Sequence, residues 1–258
     1  MQQFPNEQTV LLTLQNSILV ALVFRFLVTG LFRKYPCFFG YLLVASLQAL
    51  VLSFLSVDSP SYFYPWLITQ ALLTFFGVLI VLELYTLVLR DLPGIATASR
   101  RYLKVCLGLA IVGSLVLLQL EQTPHTLITT FMVIDRVLVT SLLIFVLMLT
   151  AFLVYYPVPI NRNLVVYSIG YAIYFMAKAS SLLTLNMSYT WVRQFGIVVV
   201  IASTVSMLFW LVGLNRQGEE KTLVIGHRWN REDQDEVLER LKALNASLLR
   251  ARKIIEKH

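Results

Sequence analysis

Residues 66–90 read WLITQALLTFFGVLIVLELYTLVLR, and a single charged side chain, Glu83, interrupts the run before Arg90 closes it. Twenty residues of α-helix rise about 30 Å, the thickness of the hydrocarbon core of a bilayer. The run is apolar all round instead of alternating by two, so it fits a membrane-crossing helix and not a barrel strand. Six other stretches repeat the pattern, and the expected spans cover 9–32, 38–56, 64–89, 102–120, 127–156, 164–185 and 191–213. The connections RKYP, SVDSPS, RDLPG, EQTPH, YYPVPINRN and NMSY separate them, with the punctuation of turns.

Composition agrees. A chain of 258 residues that is 58% hydrophobic and only 14% charged is too apolar for a water-soluble domain. The net charge of +7 does not indicate nucleic acid, because the basic residues of the apolar part gather in alternate connections. Arg33, Lys34, Arg90, Arg100, Arg101, Lys104 and Arg162 fall in the first, third and fifth, and none in the others. The inside-positive bias then predicts an all-α seven-transmembrane bundle with its N-terminus outside and its C-terminus cytoplasmic. MQQFPNEQ carries no Lys or Arg, so a signal-peptide start is not expected. Cys37 and Cys106 both fall near cytoplasmic helix ends, where no disulfide is expected.

Ionisable groups inside spans cost about 2.5–3.5 kcal/mol each on insertion scales, so they need partners or a purpose. Counting rise from the span ends puts Asp135 and Lys178 at one depth, about 12 Å below the outer surface. Arg136 joins them in an expected outer layer, the candidate ligand or ion site. Arg25 and Glu83 fall at a second common depth, about 10–12 Å above the inner surface, and are expected to pair there. Gln15, Asn16, Gln48, Gln70 and Gln194 are available to extend these layers by hydrogen bonds between helices. The same charges can equally serve only to fix helix register.

No metal, cofactor or catalytic motif stands out, and His125, His227 and His258 lie in a loop or the tail. No enzyme chemistry is therefore expected. A retinal pigment is disfavoured, since Lys178 lies in the sixth span and Tyr174 precedes it by four residues. The third span ends in LVLRDLPG, without the Asp-Arg-Tyr of hormone receptors.

The chain divides into a bundle over 1–213, a linker over 214–229 and a cytoplasmic helix over 230–258, with Asn230 as the expected cap. In that helix Val237, Leu241, Leu244, Leu248, Ala251 and Ile255 recur at spacings of four and three, a heptad seam. It suits a homodimer or a cytoplasmic protein partner, a fold-back onto the cytoplasmic loops, or a membrane-surface helix.

LFRKYPCFFGYLL (31–43), YFYPWLITQALLTFFGVLIVLELYTLVLRDLPG (62–94), VIDRVLV (133–139) and ERLKALNASLLRARK (239–253) together resemble an uncharacterised family of bacterial, acidobacterial-type seven-helix membrane proteins. That resemblance implies an architecture and brings no catalytic residues. The leading functional expectation is a non-enzymatic receptor or sensor that signals through its cytoplasmic helix. Transport or ion conduction through the charged layer, and an accessory role in a larger membrane complex, are the alternatives.

Overall fold

A computed structural model describes residues 6–55, 59–120, 127–156, 159–184, 192–224 and 231–255. The described chain is helical except for one small ribbon. In order it forms α1 (Asn6–Thr29), α2 (Pro36–Ser53), α3 (Pro60–Val88), α4 (Pro93–Leu120), α5 (Leu127–Tyr155), β1 (Pro159–Asn161), α6 (Arg162–Thr184), α7 (Val192–Gly213), β2 (Thr222–Val224) and α8 (Arg231–Ile255). The local chemistry sets the boundaries. Gly30 ends α1 in the left-handed region at φ 71°, which a residue without a Cβ adopts freely. Proline opens α2, α3 and α4 at the first helical position, where its missing N–H costs nothing, and Ser59 caps α3 through the Ser61 N–H.

Four helical segments, Val10–Thr29, Pro36–Ser53, Ser61–Val88 and Thr130–Tyr155, are long and apolar enough to cross a membrane, and Val198–Gly213 is a shorter apolar stretch. The distribution of polarity supports a membrane setting. Phe24, Val28, Leu109 and Val212 are each at least 66% exposed on the outer surface, whereas Asp135, Asn163, Ser168 and Ser206 are buried within. Water-soluble domains keep such side chains in the opposite places.

α1, α2, α3, α5, α6 and α7 pack in that order as a ring, with α7 returning to α1, and α6 also reaches α3 across it. α4 stands outside, mainly on α5, and α8 packs on α4. α4 begins at Pro93, nine residues before the expected span, so its first turns carry Arg100 and Arg101. The expected linker contains structure too: a 3₁₀ turn at Arg216–Glu219, then β2 paired antiparallel with β1 through Ile160 and Leu223.

α8 folds back on the bundle, one of the arrangements weighed from sequence. Its docking face centres on Leu241, which is buried, and on Asn245, whose Oδ1 accepts from the Gly94 and Ile95 N–H groups at 2.7 and 3.2 Å. Those are orphan donors of the first turn of α4, so α8 supplies the cap that α4 lacks. Of the expected heptad seam, Leu241 is the residue that this contact buries. Leu244 is 52% exposed, while Val237 and Leu248 are half-buried. Ala251 and Ile255 lie in α8, but their side chains, like that of Gln194 in α7, are outside the described set, and Asn230 and the three histidines lie outside the described residues.

Candidate functional site

The ring interior is organised by one face of α6. Asn163, Tyr167, Tyr171, Tyr174 and Lys178 recur at spacings of four and three, which puts all five on one stripe. That stripe meets polar groups from α2, α3, α5 and the segment after α7. The upper face is taken as the end where α1 begins, the lower face as the end where α7 finishes.

Near the upper face Lys178 Nζ lies 3.3 Å from Asp135 Oδ1, with the two side chains 16% and 4% exposed. The two residues that matched in depth therefore meet. Thr74 Oγ1 donates to the same Asp135 oxygen at 2.5 Å. Arg136, the third residue of the expected outer layer, is half-buried and forms no ion pair with Asp135. Beside the pair Tyr41 donates to the Tyr174 hydroxyl at 2.6 Å. These two tyrosines divide two spaces. Above them opens a cavity of about 430 Å³, lined among others by Gln15, Asn16, Gln48, Gln70 and Trp66. Below them a chamber of about 10 Å³ touches Thr74, Tyr171 and Lys178. Gln15 and Gln48 are tied down as sequence suggested, Gln15 to Ser203 at 3.1 Å and Gln48 to Thr69 at 3.0 Å.

Beneath the chamber the ring is filled by aromatic rings. Phe38 lies 4.8 Å from Trp210, 5.2 Å from Tyr167 and 5.5 Å from Tyr171, centroid to centroid, and all four are fully buried. Trp210 sits against α6 at Gly170, where any Cβ would stand 2.0 Å from the indole nitrogen. Glycine at that position is what lets the indole reach the ring centre.

Glu83 lies at the lower edge of this plug, and its expected pairing with Arg25 is not formed. Its Oε1 accepts from the Cys37 N–H at 3.1 Å and its Oε2 from the Tyr167 hydroxyl at 3.0 Å. The correction has a physical cause. α1 packs on α2 and α7, not on α3, so Arg25 at matching depth is out of reach. The first turn of α2, opening at Pro36, offers unpaired N–H groups and the positive end of a helix dipole instead.

At the lower face Glu219 is the hub. Its carboxylate accepts from Tyr35 at 2.6 Å, Asn163 at 2.7 Å and Lys34 at 2.9 Å. Burial opposes ionisation, but the hydrogen bonds from Tyr35, Asn163 and Lys34 outweigh it and hold the carboxyl below its ordinary value. Burial and the same contact push the Tyr35 phenol well above its usual range. A second cavity, of about 440 Å³, opens here between Lys34, Arg90, Asp91, Asn161 and Glu219. Sequence reading missed both Glu219 and the tyrosine stripe. The stripe had a signal, the four-and-three spacing of Tyr167, Tyr171 and Tyr174 leading to Lys178.

No family model, curated protein or solved structure matches this chain. Among the described residues no group of histidine, cysteine and carboxylate side chains is arranged to hold a metal ion.

Proposed function

We propose that the chain is an integral membrane protein whose seven long helices cross a bilayer, amino terminus outside, and that it carries a small polar solute through the ring. The apolar outer surface supports the spanning, and Lys34, Arg90, Arg100 and Arg101 near the lower end support the sidedness. One observation carries the transport reading. Cavities of about 430 and 440 Å³ open at opposite ends of the same two helices. Along α6 the lining residues Tyr174 and Leu164 are ten apart, so the plug between the cavities is about 15 Å thick. A site open to one side and closed from the other by a thin barrier is what alternating access needs. Among the described residues the upper cavity is lined by amides, hydroxyls, aromatic rings and aliphatic side chains without a charged one, which suits a neutral solute with hydrogen-bonding groups.

The test is accessibility. With Cys37 and Cys106 replaced by serine, a cysteine at Leu84 is treated with an impermeant maleimide from each side of sealed vesicles. Leu84 is fully buried on α3, between Leu73 of the upper cavity and Leu87 of the lower one. A carrier exposes it to both sides in turn; labelling from neither side removes the transport reading.

A receptor is the second reading, favoured by the clasp of α8 on α4 through Asn245, a contact that a bound ligand could release. Co-purification from cells carrying the chain truncated before residue 230 tests it, and unchanged partners would remove it.

A further inference from the structure

Three carboxylates are held inside the described fold, and they are held differently. Asp135 has Lys178 and Glu219 has Lys34, whereas Glu83 has no cation among the described residues. Its closest partners are the Cys37 N–H and the Tyr167 phenol, with the Phe38 N–H and the Cys37 thiol also reaching it. The N–H of Cys37 donates to the carboxyl group whether that group is charged or neutral. The Tyr167 hydroxyl does more, because it donates to a carboxylate and, once turned, accepts from a carboxylic acid. Both protonation states are thus satisfied without moving a helix. Asp135 lacks this freedom, since protonating it would strand the Lys178 ammonium in the interior.

Among the described residues no charged side chain pairs with Glu83 to fix one state. The titratable groups that act on Glu83 are Tyr35 and Cys37 near the start of α2 and Tyr167 and Tyr171 on α6. α7 contributes Trp210 to this plug, and Arg25 of α1 makes no ion pair with the carboxyl.

A route leads to the site from above. The Tyr171 hydroxyl is fully buried and has no hydrogen-bond partner, and Tyr171 lines the small chamber beneath the Tyr41–Tyr174 bond. At about 10 Å³ the chamber has room for one water molecule, and Tyr171, Thr74 and Lys178 give that water polar neighbours. Tyr167 follows one helical turn below, ring to ring at 5.0 Å.

We propose that Glu83 is a proton-binding site, loaded from the upper cavity through Tyr174, a water in the chamber, and the hydroxyls of Tyr171 and Tyr167. One proton enters at the top. Each hydroxyl oxygen takes a proton on one side and releases its own on the other, and the Tyr171 hydroxyl, unpartnered at rest, must swing from the chamber water to the Tyr167 oxygen to complete the transfer. An O–H bond forms at Glu83 Oε2, the carboxylate becomes a neutral acid, and every tyrosine ends with its hydrogen restored. No electron moves and no co-reactant is needed. The inference deepens the carrier reading, on which its purpose rests, by naming the proton as the coupled ion.

Infrared difference spectra of the full chain in lipid nanodiscs, stepped between alkaline and acidic buffer in H₂O and in D₂O, test it with the proton alone as probe. The expected result is a carboxylic-acid carbonyl band that grows on acidification and shifts in D₂O. The band is lost in E83Q, moves in frequency in Y167F, and rises at least tenfold more slowly in Y171F after a rapid pH step. No E83Q-sensitive band while helix content stays constant, or a band unchanged at every pH, overturns the proposal. Should E83Q fail to fold, Y167F keeps the carboxyl and still decides: a titrating band of the same frequency as in the parent means that another acid was seen. The spectra read binding without transport. A titrating Glu83 with no labelling of the Leu84 cysteine therefore sustains the proton site and removes the carrier, and the reverse result removes the proton site alone.

Discussion

Removing either member of the Asp135–Lys178 pair is expected to destabilise the bundle far more than removing both. At 3.3 Å and an effective dielectric of ~20, the attraction of the two charges is about 5 kcal/mol. Desolvation of each ion opposes that attraction by several kcal/mol, so the pair as a whole contributes little. The Asp135 side chain is only 4% exposed, and the Lys178 side chain 16%, so solvent does little to compensate a lone survivor. D135N, which keeps an acceptor for Thr74, and K178M should therefore each cost about 3–5 kcal/mol. The double variant D135N/K178M should return to within about 1 kcal/mol of the parent, giving a coupling energy of about 5 kcal/mol or more. Equilibrium unfolding in mixed micelles, followed by helix content across the four proteins, measures the cycle. Additive losses, with the double variant as unstable as the sum of the singles, would refute the claim that these two charges compensate each other.

Other sites give independent outcomes. G170A puts a methyl group where the Trp210 indole lies, so it should cost about 1–3 kcal/mol as overpacking and shift the tryptophan emission as that ring is displaced. N245A uncaps the first turn of α4, at a cost of about 1 kcal/mol, and should make α8 more susceptible to limited proteolysis. Glu219 ionises more readily folded than unfolded, so its stabilisation is complete above the ordinary carboxylate range and fades as pH falls through its depressed folded value. Amide protection at residues 214–224, taken relative to the intrinsic exchange rate at each pH, should accordingly fall on acidification in the parent, and in E219Q it should be low already at neutral pH with little further change.

The parts legible in the sequence were those fixed by side-chain identity and depth. Asp135 and Lys178 lie on neighbouring helices, and equal rise from their span ends brought them together. The same arithmetic failed for Glu83, because depth says nothing of which helices touch and a backbone N–H carries no letter in the sequence. α1 and α3 lie on opposite sides of α2, and the amide of Cys37 took the place expected of Arg25. The α8 pattern misled for a related reason. Counting apolar residues favoured Leu244, while the docking face turned about Asn245, a polar residue whose partners are orphan donors of another helix. The three-residue strands in PIN and TLV are too short for alternation to register, and only their pairing reveals the link between the two segments.

The lower cavity and the segment that follows α7 are one structure. Its wall draws Lys34 and Tyr35 from the α1–α2 turn, Asn161 from β1, and Glu219 from the turn after α7. Glu219 accepts from three of the groups that close that wall to the bundle, and the chain then runs through β2 toward α8. In the carrier reading, widening the lower mouth must lengthen the bonds from Tyr35 or Asn163 to Glu219, the same bonds that hold this segment against the α1–α2 turn and α6. In a carrier built this way, inward opening and loosening of the segment before α8 are one motion. A signal at α8 would then follow from transport, without a separate sensing domain.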